Sequence, residues 1–229
     1  VFWNTDMKLV VARTFVCNQP YDMATCLAMF TNISATVIFI TRVEMHFHER
    51  YKAYSEAVIG GRGADIDNAK KEMFRQLSAE LMNLARIQFI ITVVVYLLAM
   101  VFLPMFGISN LTMRIYPCLI VGYFIVFIMY AEIIFLYYFD DIWGVLATSL
   151  TFCLLTFLGS VIATHLPELW YGSGLVLGAF AGWTVAYFRL RHIERRLDAH
   201  VFCKGSLLKP GMGTMPPAKV YDRTEQPVD

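Results

Sequence analysis

Five apolar stretches, each long enough to cross a lipid bilayer, leave this chain little choice of architecture. They run over 22–43, 87–106, 115–139, 142–164 and 169–188. At a rise of about 1.5 Å per residue, twenty helical residues span the roughly 30 Å of a hydrocarbon core. Backbone in lipid must satisfy its own hydrogen bonds, so each stretch is read as a transmembrane helix. The expected fold is all-α and integral to the membrane, with five transmembrane helices. Ionisable side chains are nearly absent from the stretches: Asp22 and Arg42 sit at the ends of the first, and Glu132 lies within the third.

The basic residues give the orientation. Of 19 Lys and Arg, 16 lie either from the end of the first stretch (Arg42) to the start of the second or after the last. The positive-inside bias makes both regions cytoplasmic. Residues 1–21 are then external, and so are the loops carrying Arg114 and Glu168. The Asp140-Asp141 turn must be cytoplasmic although it is acidic. The chain begins Val1-Phe2-Trp3 and enters its first span from outside, so it is expected to be the C-terminal part of a larger polytopic protein. A net charge of +1 gives no reason to expect a nucleic-acid partner.

Residues 44–86 read as a cytoplasmic helical hairpin. Val43, Phe47, Tyr51, Tyr54 and Val58 share one helical face; Ile66, Met73, Leu77, Leu81 and Leu84 share another. Gly60-Gly61-Arg62-Gly63 is expected to turn the chain through positive-φ residues, with Asp65 or Asp67 capping the second arm. The second arm is expected to continue into the second span. Phe47, Tyr54, Met73 and Leu77 are candidates for docking a cytoplasmic partner; the alternative is that each arm covers the other. Residues 189–229 form a basic tail whose first part is a juxtamembrane helix. From Lys209 onward, Pro210, Gly211, Gly213, Pro216 and Pro217 break every periodicity, and disorder is expected.

No motif for a metal, cofactor, nucleotide or covalent catalyst stands out, so the chain is not read as an enzyme. His46 and His48 point apart on a helix, and the five cysteines show no CxxC spacing. Polar residues within lipid are the functional candidates instead. Thr25, Asn32 and Thr36 share a face of the first span, and Asn32 needs a partner. Glu132 is a membrane carboxylate, either lining a path or bonded to a group such as Gln88 or Thr92. Tyr123, Phe127 and Tyr130 form an aromatic stripe suited to stacking on sugar rings, or else to packing. Gly174, Gly178 and Gly182, spaced by four, allow another helix to approach closely.

Several word-like runs carry a resemblance. They are Tyr21-Asp22-Met23-Ala24, Phe39 to Glu44 with Phe47, Tyr51 and Gly60-Gly61, Arg86-Ile87-Gln88, Ile134 to Asp140, and Tyr171-Gly172-Ser173-Gly174. Over Val1 to Arg196 the chain resembles the Pel exopolysaccharide exporter (PelG) family. The resemblance implies a flippase-like transporter of about twelve spans in two bundles, of which this would be the C-terminal bundle. It implies location in the bacterial cytoplasmic membrane, a polysaccharide substrate, and partners in a cytoplasmic glycosyltransferase and cyclic di-GMP-sensing membrane components. It supplies no established transport residues. A small-solute or ion-coupled transporter of the same superfamily, and a non-transporting scaffold for a glycosyltransferase, are the alternatives.

Overall fold

The computed structural model describes residues 1–5, 8–11, 15–39, 41, 45–60 and 62–207. The expected end of the first span at Val43, the turn residue Gly61 and the tail from Lys209 lie outside these residues. Val1–Glu194 forms one compact unit; of the second, Arg195–Asp229, the part to Leu207 is helix.

The described residues are helical apart from the start of the chain and short turns between helices. Leu9–Val11 (β1) and Phe15–Cys17 (β2) pair antiparallel, an element not expected from the sequence. Six helices follow: Gln19–Ile38 (α1), Met45–Gly60 (α2), Gly63–Phe102 (α3), Asn110–Tyr138 (α4), Ile142–Ala163 (α5) and Ser173–Leu207 (α6). Local chemistry sets their ends. Asn18 caps α1 by accepting from Tyr21 N at 3.3 Å, so the helix begins before Asp22. Ser109 caps α4 through Thr112 N at 3.3 Å, and Asp141 caps α5 through Gly144 N at 3.3 Å. Gly107, at φ 71°, lets the chain leave the 3-10 turn Leu103–Phe106.

At Gly60 and Gly63 the turn differs from expectation. Gly60 is the last residue of α2 and Gly63 the first of α3, and neither has positive φ. Asp65 is not the N-cap; its carboxylate reaches back to accept from Arg62 N at 3.1 Å.

Among the described residues, four helical segments are long and apolar enough to cross a membrane: Gly63–Phe106, Asn110–Tyr138, Ile142–Ala163 and Glu168–Arg195. This is an all-α membrane protein. α1 is not among the four: its described part carries Asp22, Asn32, Thr25, Thr31 and Thr36, and the expected end of this span lies outside the described residues. Ala24, Ala28, Thr31 and Ala35 are buried at its contact with α4, where small side chains let the backbones approach. Leu150, Leu154 and Phe157 of α5 are exposed, as are Phe89, Ile90 and Leu97 of α3. Apolar surface on this scale is unfavourable in water and natural in lipid.

α3 is continuous over 40 residues, about 60 Å, so it is far longer than a hydrocarbon core is thick. α2 folds back along its N-terminal part, bringing His46 Nδ1 to 3.9 Å from Glu80 Oε1. Phe47, Tyr54, Met73 and Leu77 are all buried. Phe47 packs edge-on against Phe135, Tyr138 and Phe139, with centroids 4.8, 5.2 and 5.9 Å away, and Phe74 stacks on Phe139 at 5.4 Å. These are the four residues offered for docking a partner; their burial fits the alternative in which each arm covers the other. Their faces are taken up by the chain's own helices, because the C-terminal end of α4 presents an aromatic surface that α2 and α3 cover.

Candidate functional site

Three centres of polar side chains sit on different helix contacts; Asn18, Thr92, Thr112, Thr148 and Ser160 are buried outside them. The first joins α1, α3 and α4. Gln88 Nε2 donates to Asn32 Oδ1 at 2.9 Å and to the Thr31 carbonyl at 3.4 Å; Asn32 Nδ2 donates to the Tyr123 carbonyl at 3.2 Å. Thr31 Oγ1 closes the group, donating to the Ala28 carbonyl at 2.7 Å and, more weakly, reaching Asn32 Oδ1 at 3.3 Å. One side-chain bond joins the two amides, and backbone carbonyls take their other N–H donors, which is how polar groups are tolerated in lipid. Gln88 Oε1 has no partner among the described residues. Thr25 stands outside the group, half-buried, and Thr36 Oγ1 donates to the Asn32 carbonyl of its own helix at 2.8 Å.

The second centre joins α4 and α6. Glu132 is 4% exposed, and its Oε1 accepts from Trp183 Nε1 at 3.2 Å. Glu132 Oε2 has no partner among the described residues. The expected partners Gln88 and Thr92 are not the ones used. Gln88 belongs to the first centre, which meets α4 nine residues earlier, about 13 Å along the axis. Glu132 and Trp183 line a cleft of about 390 Å³ between α3, α4 and α6, with Leu77, Leu81 and Met82 opposite and Tyr187 at its side.

The third centre ties the α4–α5 turn to α6. Asp141 is 1% exposed; Arg189 Nε donates to its Oδ2 at 2.9 Å and Arg189 Nη2 to its Oδ1 at 2.6 Å. Two parallel charge-assisted bonds of this kind are the strongest ion-pair geometry available to a carboxylate. Sequence reasoning missed this pair. The signal was present as an acid at a turn that the charge pattern placed beside the basic tail, but 48 residues separate the partners.

The aromatic stripe separates on folding. Phe127 is buried, Tyr123 half-buried and Tyr130 exposed, with no ring contact joining them among the described residues. Trp183 and Tyr187 were not singled out from the sequence, yet they are the rings beside Glu132, their centroids 6.3 Å apart.

Gly174 and Gly178 of α6 face α5, and Gly182 lies against Met129 of α4 as well as α5. A Cβ on Gly174 would meet Ser160 N and Oγ, one on Gly178 would meet Thr156 Oγ1 and N, and one on Gly182 would lie 2.5 Å from Met129 Sδ. Gly159 adds an unpredicted partner: a Cβ there would be 2.8 Å from Gly174 Cα. The two helices therefore meet through backbone.

The PelG family model, described as "Putative exopolysaccharide Exporter (EPS-E)", matches residues 1–202. No curated protein and no solved structure matches the chain.

Proposed function

The chain belongs to the PelG exopolysaccharide-exporter family, and on that premise we propose that it exports a Pel-type polysaccharide across the bacterial cytoplasmic membrane. The single observation that carries this reading is the family match over residues 1–202, which takes in all four membrane-length segments. A bundle with polar groups held inside it is the kind of element that transporters use to guide a hydroxyl-rich substrate while shielding it from lipid. In this reading α1 is a fifth span, the α2–α3 hairpin and the tail are cytoplasmic, and a second bundle completes the path. A glycosyltransferase delivers the polymer at the cytoplasmic side, with cyclic di-GMP-sensing components in the same assembly. Glu132 is the foremost path candidate, because one of its oxygens is left over for a substrate hydroxyl. Asn32 is a weaker candidate, since both ends of its amide are bonded, while Gln88 keeps an unpartnered Oε1 but does not line the cleft.

The test is loss and restoration of secretion. Cells lacking the full-length protein should retain glycosyltransferase activity but release no polymer, and re-expression should restore release. Undiminished secretion without the protein would defeat the reading.

A further inference from the structure

We propose that the cleft between α3, α4 and α6 is a saccharide subsite that holds a short segment of the exported polymer; this rests on the export reading above. Its volume, about 390 Å³, falls in the range of small-molecule sites, about 300–1,000 Å³. Its chemistry selects among occupants. The wall from α3 is apolar, with Leu77, Leu81 and Met82, and α6 contributes the rings of Trp183 and Tyr187. Apolar and aromatic surface accommodates the CH faces of a pyranose. Glu132 supplies the polar contact. Its Oε1 is held by Trp183 Nε1, which orients the carboxylate, and its buried Oε2 lacks a donor among the described residues. A sugar hydroxyl can donate to that oxygen, whereas an acyl chain would leave it unsatisfied, at a cost.

The same lining disfavours an anionic lipid headgroup. The one cation of the cleft, Arg191, is already committed. Its Nη1 donates to Glu194 Oε2 at 2.7 Å, its Nε donates to Tyr187 Oη at 3.3 Å, and its guanidinium carbon lies 5.5 Å from the centre of the Tyr187 ring. With Glu132 and Glu194 both present, no positive charge is left over for a phosphate. A neutral or amino sugar fits; an anionic one does not.

The experiment places p-benzoylphenylalanine at Met82, which lines the cleft, in the full-length protein of a polymer-secreting strain. Irradiation should yield a periodate-sensitive glycan adduct, while the same photoprobe at lipid-facing Leu154 should yield phospholipid adducts alone. Glu132→Gln and the surface change Tyr187→Ala should each lower the glycan adduct several-fold at unchanged protein abundance. Phospholipid alone at Met82, or a glycan adduct unaffected by both substitutions, overturns the subsite. The export reading fails separately: secretion that survives depletion of the protein rejects export, whereas secretion lost on depletion with no glycan adduct at Met82 rejects only the subsite.

Discussion

Asp141 caps the first turn of α5 and at the same time receives both arms of the Arg189 guanidinium from α6. The turn between α4 and α5 therefore lies against the C-terminal part of α6's membrane-length segment. An acidic turn on the side expected to be basic is accounted for by this pair, since Arg189 neutralises Asp141 locally and the positive-inside bias rests on Lys and Arg rather than on net charge. Arg189→Ala should lower stability by about 2 kcal/mol, less than the full cost of stranding a buried charge because the guanidinium is 39% exposed. Arg189→Lys should recover only part of it, since an ammonium cannot make the fork. Thermal unfolding in detergent, followed by monodisperse elution, measures both; equal stability of all three proteins would show that the pair contributes nothing.

The contact of α5 with α6 should be intolerant of added volume. Gly178→Val forces a branched side chain into Thr156, and Gly174→Ala meets backbone at Ser160 that cannot yield without moving α5. Each should cost about 1–3 kcal/mol. Gly60→Ala, which meets nothing within 4 Å at the end of α2, should be neutral or stabilising by up to about 1 kcal/mol. Expression and melting temperature of the three variants, ranked together, check this order.

Gln88 and Asn32 should behave as a coupled pair. Removing either alone takes one hydrogen bond from the other, at about 1 kcal/mol in this setting, while Gln88→Leu with Asn32→Leu should be milder than the sum of the single changes. A double-mutant cycle on unfolding gives the coupling. Secretion unaffected by the double substitution would mark the pair as structural only.

Phe47 should matter to the hairpin rather than to partner binding. It is 1% exposed inside the aromatic cluster at the end of α4, so Phe47→Ala should cost about 3–5 kcal/mol and expose α2 to proteolysis. Limited trypsin digestion, which can cut at Arg50 and Lys52, reports on it; an unchanged digestion rate would mean that α2 is not held by this contact.

The Asp140-Asp141 turn and the His165–Glu168 loop should be on opposite sides of the membrane, since α5 alone separates them. Single cysteines introduced at Asp140 and Glu168 in a cysteine-free background should differ in labelling by an impermeant maleimide applied to intact cells. Labelling of both from outside would reject the assignment of α5 as a span.

The sequence by itself determined the solvent this protein folds in. Hydropathy and the sorting of Lys and Arg are properties of chain segments, so the helical membrane class could be read without any three-dimensional information. The periodicity that marks α2 and the start of α3 as amphipathic was legible for the same reason. The α1 assignment was harder to read, because its polar residues face other helices and lower its apparent affinity for lipid. Pairings between segments were decided only by the tertiary structure. Nothing local indicates that Glu132 turns to Trp183 rather than Gln88, that Asp141 takes Arg189, or that Phe47 is covered by Phe135. In a helix bundle every inward face looks alike in sequence, and which of two polar groups meet depends on rotation and axial offset of whole helices. Those are set by the close backbone approach at Gly159, Gly174 and Gly178 and by the small residues along α1, through the sum of many weak packing contacts.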